Sequence, residues 1–419
     1  MRAAEAGARV TLLNAHPKIG LKILMSGGTR CNVTHATVTE RDFNGGSRPF
    51  IRRVLSEFDV EETLAWFAEM GVALKLEPTG KYFPESDDAQ TVLDALLGAV
   101  ERAGVLIESG ARVVRLEPRT GGGYRLGIQP VADTAALGVD GVAKSGQADW
   151  PLPTAEPRRW LEADRVIVAS GGLSFPRTGS DGTGYAIAAS LGHSIVPPVP
   201  ALTPFASNDT LRIGAQGVTI EVELTLWVDG KRAESVSGSL LFAHFGLTGP
   251  AALDLSRHWH LAEGRARRVT MLVLPGMDAQ VLEARWLSYA ERFPRRGVRA
   301  WLGSMLPDRI ADIVTSESGI GGDAMSQVPR ERRVALLQTL LARDARVSGT
   351  LGYEKAEVTA GGVTLSEVDA STLESRLAPG VWLCGEVLDV EGRLGGFNFQ
   401  WAWSSGTVAG RAAAAEQSS

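Results

Sequence analysis

Val381-Trp-Leu-Cys-Gly-Glu-Val-Leu-Asp-Val-Glu-Gly-Arg-Leu-Gly-Gly-Phe-Asn-Phe-Gln-Trp-Ala-Trp-Ser-Ser-Gly406 is the stretch whose reading decides the fold. A short apolar strand runs into Gly385-Glu386, and Asp389 follows closely. Gly395-Gly396 then opens an apolar, Ala-rich helix that reaches the chain end. Helix N-termini attract anions, glycines let backbone approach a ligand, and carboxylates accept bonds from sugar hydroxyls. Strand, acidic turn, glycines and helix start together form a phosphate-and-ribityl corner. The cofactor such a corner implies is FAD.

Working outward, the chain of 419 residues is too long for one ordinary core and suits two or three domains. An apolar fraction of 44% and a charged fraction of 22% are those of a globular protein. The 48 glycines cluster at turns without a period, which favours a loop-rich nucleotide-binding fold over a fibrous one. A net charge of −5 and a pI near 5.8 argue against a nucleic-acid partner held by a broad basic surface. The expected partner is a small-molecule substrate, and oligomeric state is not legible. Two cysteines, Cys31 and Cys384, fit a reducing cytoplasm better than a disulfide scaffold. No apolar run approaches the ~20 residues of a membrane helix, and no signal peptide is visible, so the reading is cytoplasmic with no membrane partner.

Along the chain, Met1 to Gly7 reads as a helix end and Arg9 to Leu13 as a strand, as though the sequence opened in mid-fold. Asp59 with Glu62, and Asp87 with Gln90, mark the starts of two amphipathic helices. Val113 to Leu116 and Tyr124 to Ile128 read as strands joined by three glycines, and Arg165 to Ala169 as a buried strand. Residues 129–160 lack periodicity and read as an extended loop. Beyond Pro197-Pro198, alternation of Ile220, Val222, Leu224, Leu226 and Val228 with polar neighbours predicts an antiparallel strand. Apolar stripes then predict helices to about Arg346. The expected division is an FAD-binding domain in two parts, 1–196 and 351–419, interrupted by a β-rich subdomain, 197–277, and a helical one, 278–350.

Two further constellations carry chemistry. Gly20-Leu-Lys22 precedes Ser26-Gly-Gly-Thr-Arg-Cys-Asn32, where adjacent glycines can form an anion nest and Lys22 and Arg30 add positive charge. A surface turn with two solvated cations is the bland alternative. Val168-Ala-Ser-Gly171-Gly172, then Phe175-Pro176 and Gly179-Ser-Asp-Gly-Thr-Gly184, read as a strand, a turn and a helix start.

Five blocks occur in order: "KIGLKILMSGGTRCNVTH", "GKYFPESDDAQTVLDAL", "VIVASGGLSFPRTGSDGTGYAIAASLGH", "LLFAHFGLTGPAALDLS" and "VTAGGVTLSEVD" with "PGVWLCGEVLDVEGRLGGFNFQWAWSSGTVAG". Together they resemble the BaiN/RdsA-like FAD-dependent oxidoreductases, a group that includes enzymes called aminoacetone oxidases. The resemblance implies an α/β fold, a Rossmann-type (doubly wound) FAD-binding domain with β-rich and helical insertions. It also implies NAD(P)H as electron donor. Residue by residue, it assigns Lys22, Ser26, Gly27, Gly28, Arg30, Cys31 and Asn32 to a first flavin-proximal block. Gly171 falls in a second. Gly385, Glu386 and Asp389 would hold ribityl and pyrophosphate, and Gly395, Gly396, Phe397 and Asn398 would lie beneath the pyrimidine edge. Val114 would meet adenine through its backbone, though a plain core strand competes.

The sequence departs from that family in three places. The family's opening strand and GxGxxG loop do not precede Met1, which leaves two readings, a start codon assigned too far downstream or a truncated, non-catalytic binding protein. Asn14 stands where the family has an acidic residue for the adenosine ribose, and Thr29 replaces a glycine. Among other candidates, Cys31 is a redox thiol or a small buried hydrophobe. His244 on the inserted region is the candidate for a catalytic acid or a substrate ligand, against a histidine bonded to local backbone. No zinc-ligand spacing or hydrolase triad is present, so no metal site is expected. An RNA-modifying flavoprotein shares the fold class, and the acidic pI counts against it.

Overall fold

The computed structural model describes residues 1–132, 155–320 and 322–415. Two compact units result, Met1–Pro200 with Gly352–Ser419, and Ala201–Leu351. In the first unit, Thr11–Asn14 pairs in parallel with Leu106–Ser109, and Val166–Val168 pairs in parallel with Val381–Leu383. Parallel pairing needs long crossovers, and here helices such as Ala89–Arg102 supply them. A three-stranded antiparallel sheet joins Ala111–Pro118, Tyr124–Pro130 and Arg159–Ala163. The two strands and glycine turn expected there are present. Of the loop expected over 129–160, residues 133–154 lie outside the described part, and its ends belong to strands.

Local signals set several boundaries. Asp59 and Glu62 form a reciprocal capping box, each side chain accepting the other's backbone N–H at 3.0 Å. The second helix starts one residue later than the sequence suggests. Its cap is Asp88, whose carboxylate accepts from Gln90 N at 2.9 Å. Asp87 sits at φ 54° with its carboxylate on Lys75 and Arg30, so ion pairing wins it away from the cap. The last helix, Phe397–Ala415, packs Trp401, Val408 and Ala409 into the core that also holds Trp382 and Leu383.

In the second unit, Thr219–Val228 lies between Lys231–Ala243 and Arg267–Leu272 in a seven-stranded sheet. Ile220, Val222, Leu224, Leu226 and Val228 are all buried, as their alternation requires. The helices Ala279–Arg292, Val298–Leu302, Asp308–Ser318 and Arg330–Ala342 share one hydrophobic core with that sheet. The β-rich and helical stretches are therefore joined, because the helices' apolar stripes have the sheet's buried residues to cover. Trp286 and Trp301 meet edge to face at 4.9 Å within that core. Among the described residues no helix is long and apolar enough to cross a membrane.

Replacement Trp286→Ala should cost about 3–5 kcal/mol, read as a lower urea midpoint. If only the helices melted, with the sheet's signal unmoved, the single shared core would be wrong.

Candidate flavin site

The terminal helix fixes the site. Gly395 and Gly396 lead into it at φ 134° and 93°, both of which disfavour any side chain. A Cβ at Gly396 would fall 2.7 Å from the Thr34 carbonyl and 2.8 Å from Asn32 Oδ1, so this glycine lets three segments meet. Below it, Thr34 Oγ1 donates to Gln400 Oε1 at 2.7 Å, while Gln400 Nε2 donates to the Phe58 carbonyl and Thr63 Oγ1. His35 stacks on Phe397 at 4.7 Å.

Asn32 is buried, and its Oδ1 has no hydrogen-bond partner among the described residues. An orphaned acceptor is costly unless something else meets it. Beside it stand the first N–H groups of a 19-residue helix, which have no intrahelical acceptor. Acceptor and donors side by side complement an imide edge, carbonyl–NH–carbonyl, as on the flavin pyrimidine ring. The residues therefore fit the group.

A second cluster lies at Glu386. Its Oε1 accepts from Ser174 Oγ and Thr359 N, both at 2.9 Å, and its Oε2 accepts from Lys22 Nζ at 3.0 Å. Lys22 also donates to Ser174 Oγ at 2.7 Å. Gly385 N donates to Ser405 Oγ, and the Gly385 carbonyl accepts from Trp401 Nε1, which ties the acidic turn to the terminal helix. Lys22, Gly385 and Glu386 are thus brought together. Ser174 and Thr359, which complete the cluster, went unnamed in the sequence reading although both lie inside quoted blocks.

Other expected residues are placed differently. Ser26, Gly27 and Gly28 do form a tight turn, with Gly27 and Gly28 left-handed at φ 56° and 67°. A Cβ at Gly28 would meet nothing, so that side of the turn is open. Arg30 is committed to Glu77 at 2.7 Å and Asp87 at 3.2 Å, and covers the Phe83 ring. Its hydrogen bond to Glu77 raises its pKa further, so its charge is already matched inside the protein. Asn398 gives both ends of its amide to the Gly392 backbone, at 2.8 and 2.9 Å, and braces the glycine turn. Asp389 is half-buried, its backbone bonded to Val363 and Gly46. Asn14 donates to the His16 carbonyl, closing the turn after its strand. Gly171 is left-handed at φ 73° beside Ser180. Val114 sits at a bulge, where the register passes from Val113–Ile128 to Arg115–Gly127. His244 lies in the other unit, exposed, its ring against Phe245 and its carbonyl accepting from Arg212.

The two thiols are inert by environment. Burial pushes Cys31 up to about 11 and Cys384 up to about 12. Among the described residues no cluster suited to a metal ion occurs.

The family described as "HI0933-like protein Rossmann domain" matches residues 1–137 and 136–412. The chain belongs to the HI0933-like family. This is the BaiN/RdsA-type FAD-dependent group that the five blocks resemble, and its Rossmann-type α/β class accounts for the parallel strands. HI0933-like membership makes the chain an oxidoreductase of a flavin-dependent family. It is 32% identical to the 3-dehydro-bile acid delta(4,6)-reductase of Clostridium scindens over 98% of this chain and 94% of that protein. It is 30% identical to the ribosomal RNA dihydrouridine synthase of Escherichia coli over 96% of this chain and 91% of that protein. Among solved structures, a 3-ketosteroid-delta4-(5alpha)-dehydrogenase from Rhodococcus jostii RHA1 is similar at 15% identity and a TM-score of 0.45, over 99% of this chain and 93% of that one.

Because both folded thiols hold their protons above the ordinary value of 9.0, the stability they contribute is present below that pH and falls as pH rises towards 11. A thiol reagent at pH 8 should find neither cysteine in the folded protein and both after unfolding. A fast-reacting native thiol would restore the redox reading of Cys31.

Proposed function

We propose that the protein is an FAD-dependent reductase, fed by NAD(P)H, that saturates a carbon–carbon double bond conjugated to a carbonyl in a small molecule. The observation that carries this is the orphaned Asn32 acceptor beside the terminal helix start, which suits a flavin's imide edge. The relatives' names supply the reaction class. A 3-dehydro-delta(4,6) bile acid and a uridine both present a double bond conjugated to a carbonyl, and both names describe its reduction.

When bound, FAD would supply hydride exchange between the nicotinamide and an electron-poor carbon. The chain's own residues do the rest. Lys22, Ser174 and Glu386 would hold the ribityl and pyrophosphate portion, with Gly28 offering open backbone on the turn that follows Lys22's helix. Asn32 and the N–H groups after Gly396 would hold the pyrimidine edge, where the helix N-terminus favours the negative charge of the reduced ring. Arg30 and Asn398 act as braces, given the partners they already have. The net charge of −5 supports a small substrate over RNA, and two unbridged cysteines support a cytoplasmic setting.

A second reading, an RNA substrate, is favoured by the two dihydrouridine synthase relatives. One experiment separates them. Protein reconstituted with FAD should be yellow, absorbing near ~450 nm, and NADH or NADPH should bleach it without oxygen. A steroidal enone should then restore the colour, whereas unmodified ribosomal RNA should not. Colourless protein after reconstitution sinks the flavin reading, and recovery with RNA alone reverses the choice of substrate.

A further inference from the structure

A cleft of about 410 Å³ opens in the first unit where the helix Val60–Glu69 begins. A volume of that order suits a small organic molecule. Its walls are Val38, Leu55, Val60 and Leu64, with Tyr82 beside them. Val38, Val60 and Leu64 are only half-buried, so the cleft keeps apolar surface against water that a ligand would displace. Gln400 also borders it, but this side chain is 0% exposed and its amide is already met by Thr34, Phe58 and Thr63. It therefore offers nothing to a ligand's head group.

The polar end of the cleft is acidic. Asp59 and Glu61 border it, and among the described residues no lysine, arginine or histidine does. The helix start accounts for part of that charge, since carboxylates are favoured at a helix N-terminus. Asp59 and Glu62 already serve it through their reciprocal capping box, which engages Asp59 through Oδ1. Glu61 takes no part in the box, and its residue is exposed at the rim of an apolar hollow that contains no cationic side chain. An anion would be repelled there, and a neutral apolar molecule would leave two carboxylates unmatched beside it. A protonated amine on an apolar body meets both halves of the cleft, its N–H groups donating to the carboxylates.

We propose that this cleft binds an organic cation, its ammonium at Asp59 and Glu61 and its apolar body against Val38, Leu55, Val60 and Leu64. None of these side chains belongs to the Asn32 or Glu386 clusters, so the site stands or falls apart from the flavin. The test is calorimetric titration of the full chain near neutral pH with 4-phenylbutylamine, 4-phenylbutanol and 4-phenylbutyrate. The amine should saturate one site about five- to tenfold more tightly than the alcohol, and the carboxylate should not bind. Glu61→Gln should weaken the amine about two- to fivefold and leave the alcohol unchanged. Leu64→Trp, which fills the cleft, should abolish binding of both with the melting temperature held. Failure of the amine to saturate the wild-type protein, equal affinities for amine and alcohol, an amine constant unmoved by Glu61→Gln, or unaltered binding in a folded Leu64→Trp protein would each overturn the assignment.

Discussion

The carboxylate of Glu386 organises the first unit more than any other group. Three segments far apart in the chain converge on it. Lys22 arrives from the first helical turn, Ser174 from the turn after a parallel strand, and Thr359 from the strand that re-enters the unit. A partly buried charge must be met by such donors or its desolvation is not offset. With Lys22 and Glu386 side chains 30% and 19% exposed, the pair is closer to a charge-assisted hydrogen bond than to a fully buried ion pair. Its strength comes from geometry, since each donor sits on a different element and none can leave without loosening the others. The same constraint aims whatever acceptor capacity is left at one place.

The terminal helix depends on that knot through Gly385, whose backbone bonds Ser405 and Trp401. At its other contact, Gln400 is fully buried and bonded to Thr34, Phe58 and Thr63, so helix, first-block strand and capped helix hold one register. A buried amide with its donors and acceptor met specifies one arrangement, whereas an apolar side chain there would permit sliding. Gly396 is what lets this happen, because a Cβ would strike the Thr34 backbone. The helix start is consequently held against Asn32 and presents its N–H groups beside an unsatisfied oxygen.

Charge is largely spent within the protein. Arg30 serves Glu77 and Asp87, and the buried Arg112 serves Asp181 and Thr183. In the second unit Arg343 closes on Asp209 and Glu317. Lys22 differs in that it donates both to a carboxylate and to a hydroxyl, Glu386 and Ser174, at one cluster. Identical residue types thus meet different surroundings, and only their partners distinguish them. That is why a cation in a glycine-rich block could be read as a phosphate ligand and turn out to be a brace.

The sequence by itself determined the family, the α/β class, the capped helices, the strand alternation around Leu224 and the glycine turns at Gly385-Glu386 and Gly395-Gly396. Those features are local, since periodicity, caps and glycine turns are written in neighbouring residues. Which donors meet Glu386, why Asp88 and not Asp87 caps its helix, where Asn398 spends its amide, and that the inserted strands and helices share one core were decided by tertiary structure. Each of these depends on groups tens to hundreds of residues apart. Tyr353 shows the difference most plainly. Nothing around it in the sequence marks it, and only packing leaves its hydroxyl buried and without a hydrogen-bond partner among the described residues. Long-range burial creates an unmet hydrogen bond, and an unmet hydrogen bond is a property of the fold.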